Sequence, residues 1–211
     1  MVGIAQQPIT SSVRENEVEE KLIKKAIARD SGAIEALYDT FAPKLLSICY
    51  RYCGNRSDAE DILHDGFIKI IQNIHNFTVR PNGTLEAWMK RIIVNTSLNF
   101  LRGRIREQKM VDIDPLIDRI DLQDETEFDP EDQYLMIDKD KIMSLICTLP
   151  TGYRTVFNMY VFEQYGHKEI AEILGFTENT SKSQLSKARA LLRKKLNQMV
   201  NTEILPTYEK N

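Results

Sequence analysis

Apolar residues recur along this chain every three or four positions, which is the spacing of one buried face of an α-helix. The clearest stripe consists of Leu63, Phe67, Ile70, Ile71 and Ile74. It follows Ser57-Asp58-Ala59-Glu60, in which the Ser57 hydroxyl and the Glu60 carboxylate can form a capping box at a helix start. Because the two-residue alternation of β-strands is missing throughout, the pattern predicts an all-α protein.

The same spacing predicts a helix-turn-helix within residues 165–196. Ile170, Ala171 and Leu174 mark a short amphipathic helix, and Leu185, Ala188, Leu192 and Leu196 mark a longer one. Gly175 lies between them, where a turn favours a positive φ, and Thr177 is a plausible N-cap for the second helix. A further helix, with Trp88, Ile92 and Ile93 on its apolar side, is predicted from Leu85 to about Arg106.

An acidic segment divides the chain into two small helical domains. Residues 111–140 hold twelve Asp and Glu against two Lys and Arg, and they contain Pro115 and Pro130. Such a sequence buries too little apolar surface to offset its ordering entropy. The predicted organisation is a tail (1–19), a first domain (20–108), an acidic linker (109–140) with a short helix near Leu135, a helix-turn-helix domain (141–198) and a second tail (199–211).

Composition removes several classes of protein. The 211 residues are 42% apolar and 28% charged, with a net charge of −3, which is typical of a globular chain. No apolar run suffices to cross a bilayer and the start of the chain does not resemble a signal peptide, so we expect a cytoplasmic protein without membrane insertion. Nucleotide-binding and metalloprotease motifs are missing, and we expect no cofactor, no metal and no catalytic residues.

The three cysteines do not change this expectation. Cys49, Cys53 and Cys147 are an odd number in a chain without a secretion signal, which argues against a disulfide framework. The spacing of Cys49 and Cys53 could place two metal ligands on one helix face. Further ligands are not evident, so two buried apolar cysteines are favoured.

Charge is strongly segregated behind the near-neutral total. Residues 79–110 hold seven Lys and Arg against two Asp and Glu, and residues 175–198 hold six against one. In the second segment the face opposite the apolar stripe carries Lys182, Ser183, Ser186 and Lys187. Hydroxyl and ammonium groups on one narrow helix face can reach base edges and phosphates in a major groove, which favours DNA binding over a merely solvated basic helix.

The first basic segment has a different character. Within 85–106 it interleaves the aromatic residues Trp88 and Phe100, the amides Asn95 and Asn99, and several Lys and Arg side chains. This combination is typical of binding to single-stranded or partly melted nucleic acid. Trp88 taken alone favours a core position over a stacking platform, because large aromatic residues are mostly buried.

Four segments together resemble a known family. They are DAEDILHDGFIKI (58–70), LEAWMKRIIVNTSLNFLR (85–102), LPTGYRTVFNMY (149–160) and the helix-turn-helix, and in this order they resemble an extracytoplasmic-function (ECF) RNA polymerase sigma factor. The resemblance implies a promoter-specificity subunit that is not an enzyme. It also implies three partners, namely core RNA polymerase through its β′ clamp and β flap, promoter DNA, and an inhibitory anti-sigma factor.

The resemblance implies three sets of site residues. Core polymerase binding falls to Asp58, Asp61, His64 and Asp65. Binding of the promoter −10 element, including a flipped base, falls to Arg91, Asn95, Asn99 and Arg102. Recognition of the −35 element falls to Thr180, Lys182, Ser183, Ser186 and Lys187. The acidic linker would enter a basic polymerase channel. From the residues alone, the acidic face around Asp61 fits either simple solubility or a docking surface.

The chain departs from the family pattern at several positions. His64 replaces a usual Gln, Leu85 a frequent aromatic residue, and Gly166 a common Ser or Thr cap, although Glu169 of that capping box is present. Ser181 replaces a small apolar residue, so we expect looser packing between the last two helices.

Two other interpretations are carried forward. A stand-alone helix-turn-helix regulator would bind DNA through residues 141–198 and would use residues 20–108 to dimerise or to sense a signal. It would bind duplex DNA tightly without polymerase, at a palindromic site if it is a two-fold dimer. An enzyme acting on nucleic acid would need clustered metal-binding carboxylates, for which the acidic linker is the sole candidate.

Overall fold

A computed structural model describes residues 20–78, 83–107 and 138–204, and these form helices without an extended strand, as predicted. The eight α-helices of the described ranges are α1 (20–27), α2 (Ser31–Cys53), α3 (Arg56–Asn73), α4 (Leu85–Glu107), α5 (Lys139–Cys147), α6 (Thr151–Phe157), α7 (His167–Leu174) and α8 (Glu178–Ile204). A 3₁₀ turn (Ile74–Asn76) follows α3, and a π-helical turn (Asn158–Phe162) follows α6.

Several expectations lie outside the described residues. They concern both tails, most of the acidic linker with its proposed short helix near Leu135, and the Pro81-Asn82 part of the turn before α4. The division into domains at the linker therefore stays a prediction.

The chain separates into two compact units, and three of the described helices, α2, α3 and α4, contribute to both. Among described residues, the first unit holds those up to Cys49 together with Glu60–Thr96. The second holds Tyr50–Ala59 together with those from Ser97 onward. The end of α2 and the start of α3 thus belong to the same unit as α5 to α8.

Helix α3 supplies the core of the first unit with its predicted stripe. Leu63, Phe67, Ile70, Ile71 and Ile74 are all buried. Gly66 on the same side lets α4 approach closely, because a Cβ there would meet the Cδ1 atom of Ile93. Glu86 at the start of α4 accepts from Lys44 at 3.0 Å and from Lys90 at 2.9 Å. These two ammonium groups hold the pKa of the Glu86 carboxyl below its usual value.

The start of α3 differs from the sequence prediction. The predicted cap, Ser57, lies inside the helix, and Asn55 is the residue that precedes it. The Asn55 side-chain oxygen accepts from the Asp58 backbone N–H at 2.9 Å, and its amide donates to the Asp58 carboxylate at 2.6 Å. Asparagine caps as well as serine does, and Gly54 before it takes a φ of 80°, so the helix begins two residues earlier than predicted.

The second unit packs around a small apolar cluster. Its buried members are Ile146, Leu149, Tyr153, Ala188 and Leu192. They come from α5, α6 and α8 and from the α5–α6 junction. The middle of α8 therefore packs against the short helices α5 and α6. No helix in the described ranges is long and apolar enough to cross a membrane.

Candidate nucleic-acid interface

Helices α7 and α8 form the predicted helix-turn-helix, and local residues explain its turn. Gly175 has a φ of 78°, which L side chains rarely adopt, and its N–H donates to the Ala171 carbonyl at 2.9 Å. Thr177 is the N-cap as predicted, since its hydroxyl accepts from the Thr180 N–H at 3.1 Å. At the start of α7, the Gly166 N–H donates to the Glu169 carboxylate at 2.8 Å, so half of the capping box survives the loss of a capping hydroxyl.

Helix α8 has one buried and one exposed face. Leu185, Ala188 and Leu192 are buried, whereas Leu196 is half-buried. The residues predicted to read DNA divide by exposure: Lys182, Ser183 and Ser186 are exposed, and Thr180 and Lys187 are half-buried. All five therefore lie in the part of α8 that follows the turn, and three of them are exposed.

The Lys182 ammonium forms a weak surface ion pair, which it can exchange for a contact with DNA. It forms an ion pair with Glu178, four residues earlier, at 2.8 Å, and both side chains are about half exposed. The same pair lowers the pKa of the Glu178 carboxyl. Surface pairs of this kind contribute little to stability, so Lys182 can exchange Glu178 for a phosphate or a base edge at small cost.

Ser181 does not loosen the packing of the last two helices, contrary to expectation. Its residue exposure is 0%, and its Oγ atom lies 2.9 Å from the Nδ1 atom of His167 at the start of α7. The His167 ring stacks on Tyr160, with centroids 4.7 Å apart. A polar pair therefore occupies the position at which the family pattern has a small apolar residue.

The predicted −10 residues recur along one exposed side of α4. Arg91, Asn95, Asn99 and Arg102 are all exposed and follow one another at intervals of three or four residues. Arg102 already has protein partners, because its guanidinium donates to the Asn99 side-chain oxygen at 3.3 Å and to the Ile173 carbonyl of α7. Arg102 would have to exchange these partners for DNA.

The aromatic residues near α4 pack rather than stand free. Trp88 is half-buried, and its ring lies 5.6 Å from that of Phe77 at a tilt of 53°. Phe100 is also half-buried. Trp88 thus packs against Phe77, but it is half-buried and does not lie in the core position that the sequence favoured.

The predicted polymerase-binding residues divide into two kinds. Asp61, His64 and Asp65 are exposed and lie on one face of α3, because positions three and four apart are neighbours on a helix. Asp58 is half-buried and is engaged with Asn55 at the helix start. Sequence reasoning missed Ile68, which is 43% exposed on the same face. Its signal was present, since Ile68 is out of phase with the buried stripe.

A buried polar cluster was also missed. Arg154 is 6% exposed and donates to four carbonyl oxygens, those of Tyr52, Cys53, Cys147 and Leu149, at 2.7–3.2 Å. Burial lowers the pKa of this guanidinium, which nevertheless stays charged at any ordinary pH. One cation thereby neutralises the negative ends of α2 and α5 together.

A second arginine on α2 extends this cluster. Arg51 forms a 2.8 Å ion pair with Glu163, with both side chains nearly buried, and its guanidinium carbon lies 4.0 Å from the Phe162 ring centroid. The Asn158 amide donates to the Arg51 carbonyl at 2.8 Å. Arg154 and Asn158 belong to the segment LPTGYRTVFNMY (149–160), whose spacing gives no indication that these side chains are buried.

The cysteines are packed as the sequence favoured. Cys49 and Cys53 are buried, and burial raises the pKa values of the Cys53 and Cys147 thiols. The described residues contain no group of three or more His, Cys, Asp and Glu side chains placed to hold a metal ion.

Comparison with known proteins gives a consistent result. The family model for sigma-70 region 2 matches residues 37–107, and that for sigma-70 region 4 matches residues 139–192. The chain is 30% identical to the ECF RNA polymerase sigma factor SigW of Bacillus subtilis over 84% of its own length and 98% of that protein. It is 32% identical to the RNA polymerase sigma factor SigV of the same organism, over 69% and 80% respectively.

One of the solved structures that the chain matches is the sigma factor RpoE in complex with the anti-sigma factor NepR from Bartonella quintana. The TM-score is 0.45 at 21% sequence identity, over 77% of this chain and 96% of that one. The two family models and the match along the full length of SigW carry the assignment: this chain belongs to the ECF family of RNA polymerase sigma factors, the subunits that direct core polymerase to promoters.

Proposed function

We propose that the chain directs core RNA polymerase to its promoters by holding the −35 element on α8 and the −10 element on α4. The observation that carries this proposal is the division of α8, which buries Leu185 and Ala188 and exposes Lys182, Ser183 and Ser186 directly after a helix-turn-helix turn. A recognition helix in the major groove presents such side chains near its N-terminal end.

The reading of the −35 element falls to Thr180, Lys182, Ser183, Ser186 and Lys187. Serine and threonine hydroxyls and lysine ammonium groups can donate to the purine acceptors of the major groove. Farther along the helix, Lys194 is exposed and can meet phosphates, which position the helix without reading sequence.

The opened −10 strand is held on the exposed side of α4, by Arg91, Asn95, Asn99 and Arg102. Asparagine amides can read the exposed edges of an unstacked base, and arginine cations neutralise the strand. The energy of binding a flipped base offsets the few kcal/mol that unstacking it costs. Strand opening therefore needs no bond chemistry, and the chain acts as a binding subunit and not as an enzyme.

Core polymerase binds the exposed face of α3, where Asp61, His64 and Asp65 supply acceptors and Ile68 supplies apolar surface. The acidic linker, which joins the two DNA-binding parts along the chain, enters a basic channel of the polymerase in place of nucleic acid. Each module is weak alone, and mounting both on one polymerase raises the effective concentration of the second once the first has bound.

The chain works in the cytoplasm beside RNA polymerase, and its regulator is an anti-sigma factor that covers the same polymerase- and DNA-binding surfaces. A net charge of −3 suits such a subunit. Non-specific DNA affinity grows with each neutralised phosphate, so a low total charge limits binding to the genome in the absence of polymerase.

In vitro transcription tests this function. Purified chain added to core polymerase on a library of genomic fragments should yield discrete start sites preceded by two common elements, and core alone should not. A chain that binds a palindromic duplex tightly without polymerase, and leaves initiation unchanged, would instead be a stand-alone regulator. A fold-matched control is the chain with Lys182, Ser183 and Ser186 changed to alanine, which should still bind core.

A further inference from the structure

The first turn of α8 contains a buried hydroxyl that one side chain partners across the helix pair. Ser181 has 0% exposure, and its Oγ atom lies 2.9 Å from His167 Nδ1. A buried hydroxyl left without a partner is costly, because it has given up its hydrogen bonds to water. The pair therefore holds its two helices at the distance and angle at which both groups are satisfied.

The hydrogen-bonded pair of His167 and Ser181 lies next to the exposed residues at the start of α8. His167 is the first residue of α7, and Ser181 lies in the first turn of α8, so the contact joins the N-terminal ends of the two helices. Ser181 immediately precedes Lys182 and Ser183, both exposed. A tilt of this turn would displace the exposed side chains more than it would displace the buried middle of α8.

Apolar contacts hold the middle of α8, and His167 and the Thr177 cap add hydrogen bonds at its start. Ala188 and Leu192 belong to the apolar cluster with Ile146, Leu149 and Tyr153. A helix anchored in its middle can still tilt, and a directional hydrogen bond near one end limits that tilt more effectively than apolar packing does.

The His167 ring is itself held in place. It stacks on Tyr160 at 4.7 Å with an interplanar angle of 23°. Arg189, two turns beyond Ser181 on α8, has its guanidinium carbon 5.7 Å from the Tyr160 ring centroid. Tyr160 thus connects to α8 both through His167 and Ser181 and directly through Arg189.

We propose that His167 is a positioning residue, which acts through Ser181 to orient the first turn of α8 for reading the −35 element. The inference rests on the proposed function of α8. It predicts a specific pattern. Removing the imidazole lowers affinity for the −35 element, because the buried Ser181 hydroxyl loses its hydrogen-bond partner. Removing the hydroxyl as well restores most of that affinity.

The experiment uses the full chain assembled with core polymerase, on a promoter mapped by the transcription assay. Binding is compared on duplex that carries both elements and on a forked template with the −10 element and a scrambled −35 sequence. Five variants are measured: H167A, S181A, H167A/S181A, H167N and K187A. The asparagine in H167N retains a polar nitrogen near the position of Nδ1, and K187A tests the proposed base contact.

We expect H167A to weaken binding to the two-element duplex about tenfold, as stranding a buried polar group does. Binding to the forked template should be unchanged. H167N and H167A/S181A should each recover most of the loss, and S181A alone should have a small effect. Equal losses for H167A on both templates, or additive effects in the double variant, would overturn the positioning role.

The control separates this inference from the function on which it rests. If K187A lowers duplex affinity while H167A does not, the −35 reading stands and the role of His167 is refuted. If scrambling the −35 sequence has no effect on the wild-type holoenzyme, the proposed function of α8 fails, and the role of His167 fails with it.

Discussion

Arg154 on α6 donates a 3.1 Å hydrogen bond through Nε to the carbonyl oxygen of Tyr52 in the last turn of α2. The other donors of the same guanidinium reach the Cys53, Cys147 and Leu149 carbonyls. Carbonyls at a helix end have no partner within the helix. One planar cation with five donors therefore satisfies carbonyls at two helix ends, those of α2 and α5. Along the chain, Cys53 at the first end and Cys147 at the second are 94 residues apart.

Replacing Arg154 should destabilise the second unit strongly. Arg154→Ala leaves buried carbonyls unsatisfied, and we expect a loss of about 3 kcal/mol or more in the free energy of unfolding. Arg154→Lys should recover little of it, since an ammonium lacks the planar fork. Urea denaturation followed by circular dichroism measures the change, with the exposed Lys194→Ala as control. A loss below about 0.5 kcal/mol for Arg154→Ala would contradict the role assigned to the cluster.

Two glycines form a matched pair for a second test. Gly54 has a φ of 80°, and a Cβ there would lie 2.7 Å from Arg154 Nη1 and 3.1 Å from the Cys147 carbonyl oxygen. Gly54→Ala should therefore destabilise the protein by about 1–3 kcal/mol. Gly103 lies in α4 with nothing within 4 Å of its Cβ position, and Gly103→Ala should stabilise it by about 0.5–1 kcal/mol. Thermal denaturation distinguishes them, and shifts of the same sign would count against this reading.

The exposed face of α3 should be required for polymerase binding. Asp61→Arg with Asp65→Arg reverses two exposed charges and should lower affinity for core at least a hundredfold, because a desolvated like-charge contact costs several kcal/mol. Ile68→Ala should lower it about fivefold through lost apolar contact. Pull-down with purified core and a fluorescence titration measure both.

The matched control for this face is Glu35→Arg on α2, an exposed carboxylate on another helix. It should bind core as the wild type does. Unfolding temperatures within about 2 °C of the wild type are required of all these variants, since surface changes seldom alter stability. Undiminished core binding by the double charge reversal would remove α3 from the docking surface.

The −10 role of α4 can be tested at Asn95, which is exposed and whose amide can read a flipped base. Asn95→Ala should weaken binding of holoenzyme to single-stranded −10 DNA about tenfold, the effect of one bidentate base contact. Affinity for core and for the −35 duplex should not change. Asn76→Ala in the 3₁₀ turn, also an exposed asparagine, is the control and should leave all three affinities as they are.

The free energy of unfolding should fall at alkaline pH because of two thiols, the buried Cys53 and the half-buried Cys147. Burial raises the pKa values of Cys53 and Cys147 in the folded chain. The unfolded chain therefore releases these protons first, and the free energy of unfolding decreases as the pH rises above about 8.5, the unfolded thiol value. The buried Tyr52, whose pKa is also raised, adds to the decrease at higher pH.

Urea denaturation under reducing conditions at pH 7.5, 8.5 and 9.5 measures this dependence. These pH values lie below, at and above the pKa of about 8.5 that a thiol has in the unfolded chain. Cys147→Ala should flatten the decrease between the last two points. An identical decrease in the wild type and in Cys147→Ala would show that the thiol does not carry it.

Helix caps and apolar stripes were predictable because they are local. The Leu63–Ile74 stripe and the Gly175 and Thr177 turn each depend on residues within a few positions, and the structure has them where the pattern indicated. The error at Ser57 is also local. Asn55 and Ser57 are both good caps, and their two-residue separation was too small for propensity to decide between them.

The buried polar groups could not be predicted in this way. In the sequence, Arg51 and Arg154 are two arginines among 28 basic residues, and nothing adjacent to either one indicates burial. Their partners, Glu163 and the Tyr52 and Cys53 carbonyls, lie about a hundred residues away along the chain. Only a folded chain brings such groups within hydrogen-bonding distance.

Ser181 illustrates the difference between the two kinds of information. Its neighbours along the chain indicated that it lies near the start of the second helix of a helix-turn-helix, and its polarity suggested a loose contact there. Packing against α7 placed the His167 imidazole 2.9 Å away, and a paired hydroxyl is compatible with a tight interior. Which helices form, and which of their faces are apolar, follow from interactions between near neighbours. Which polar groups are buried, and with what partner, follows from contacts between distant segments. A pattern of residues along the chain contains no information about such contacts.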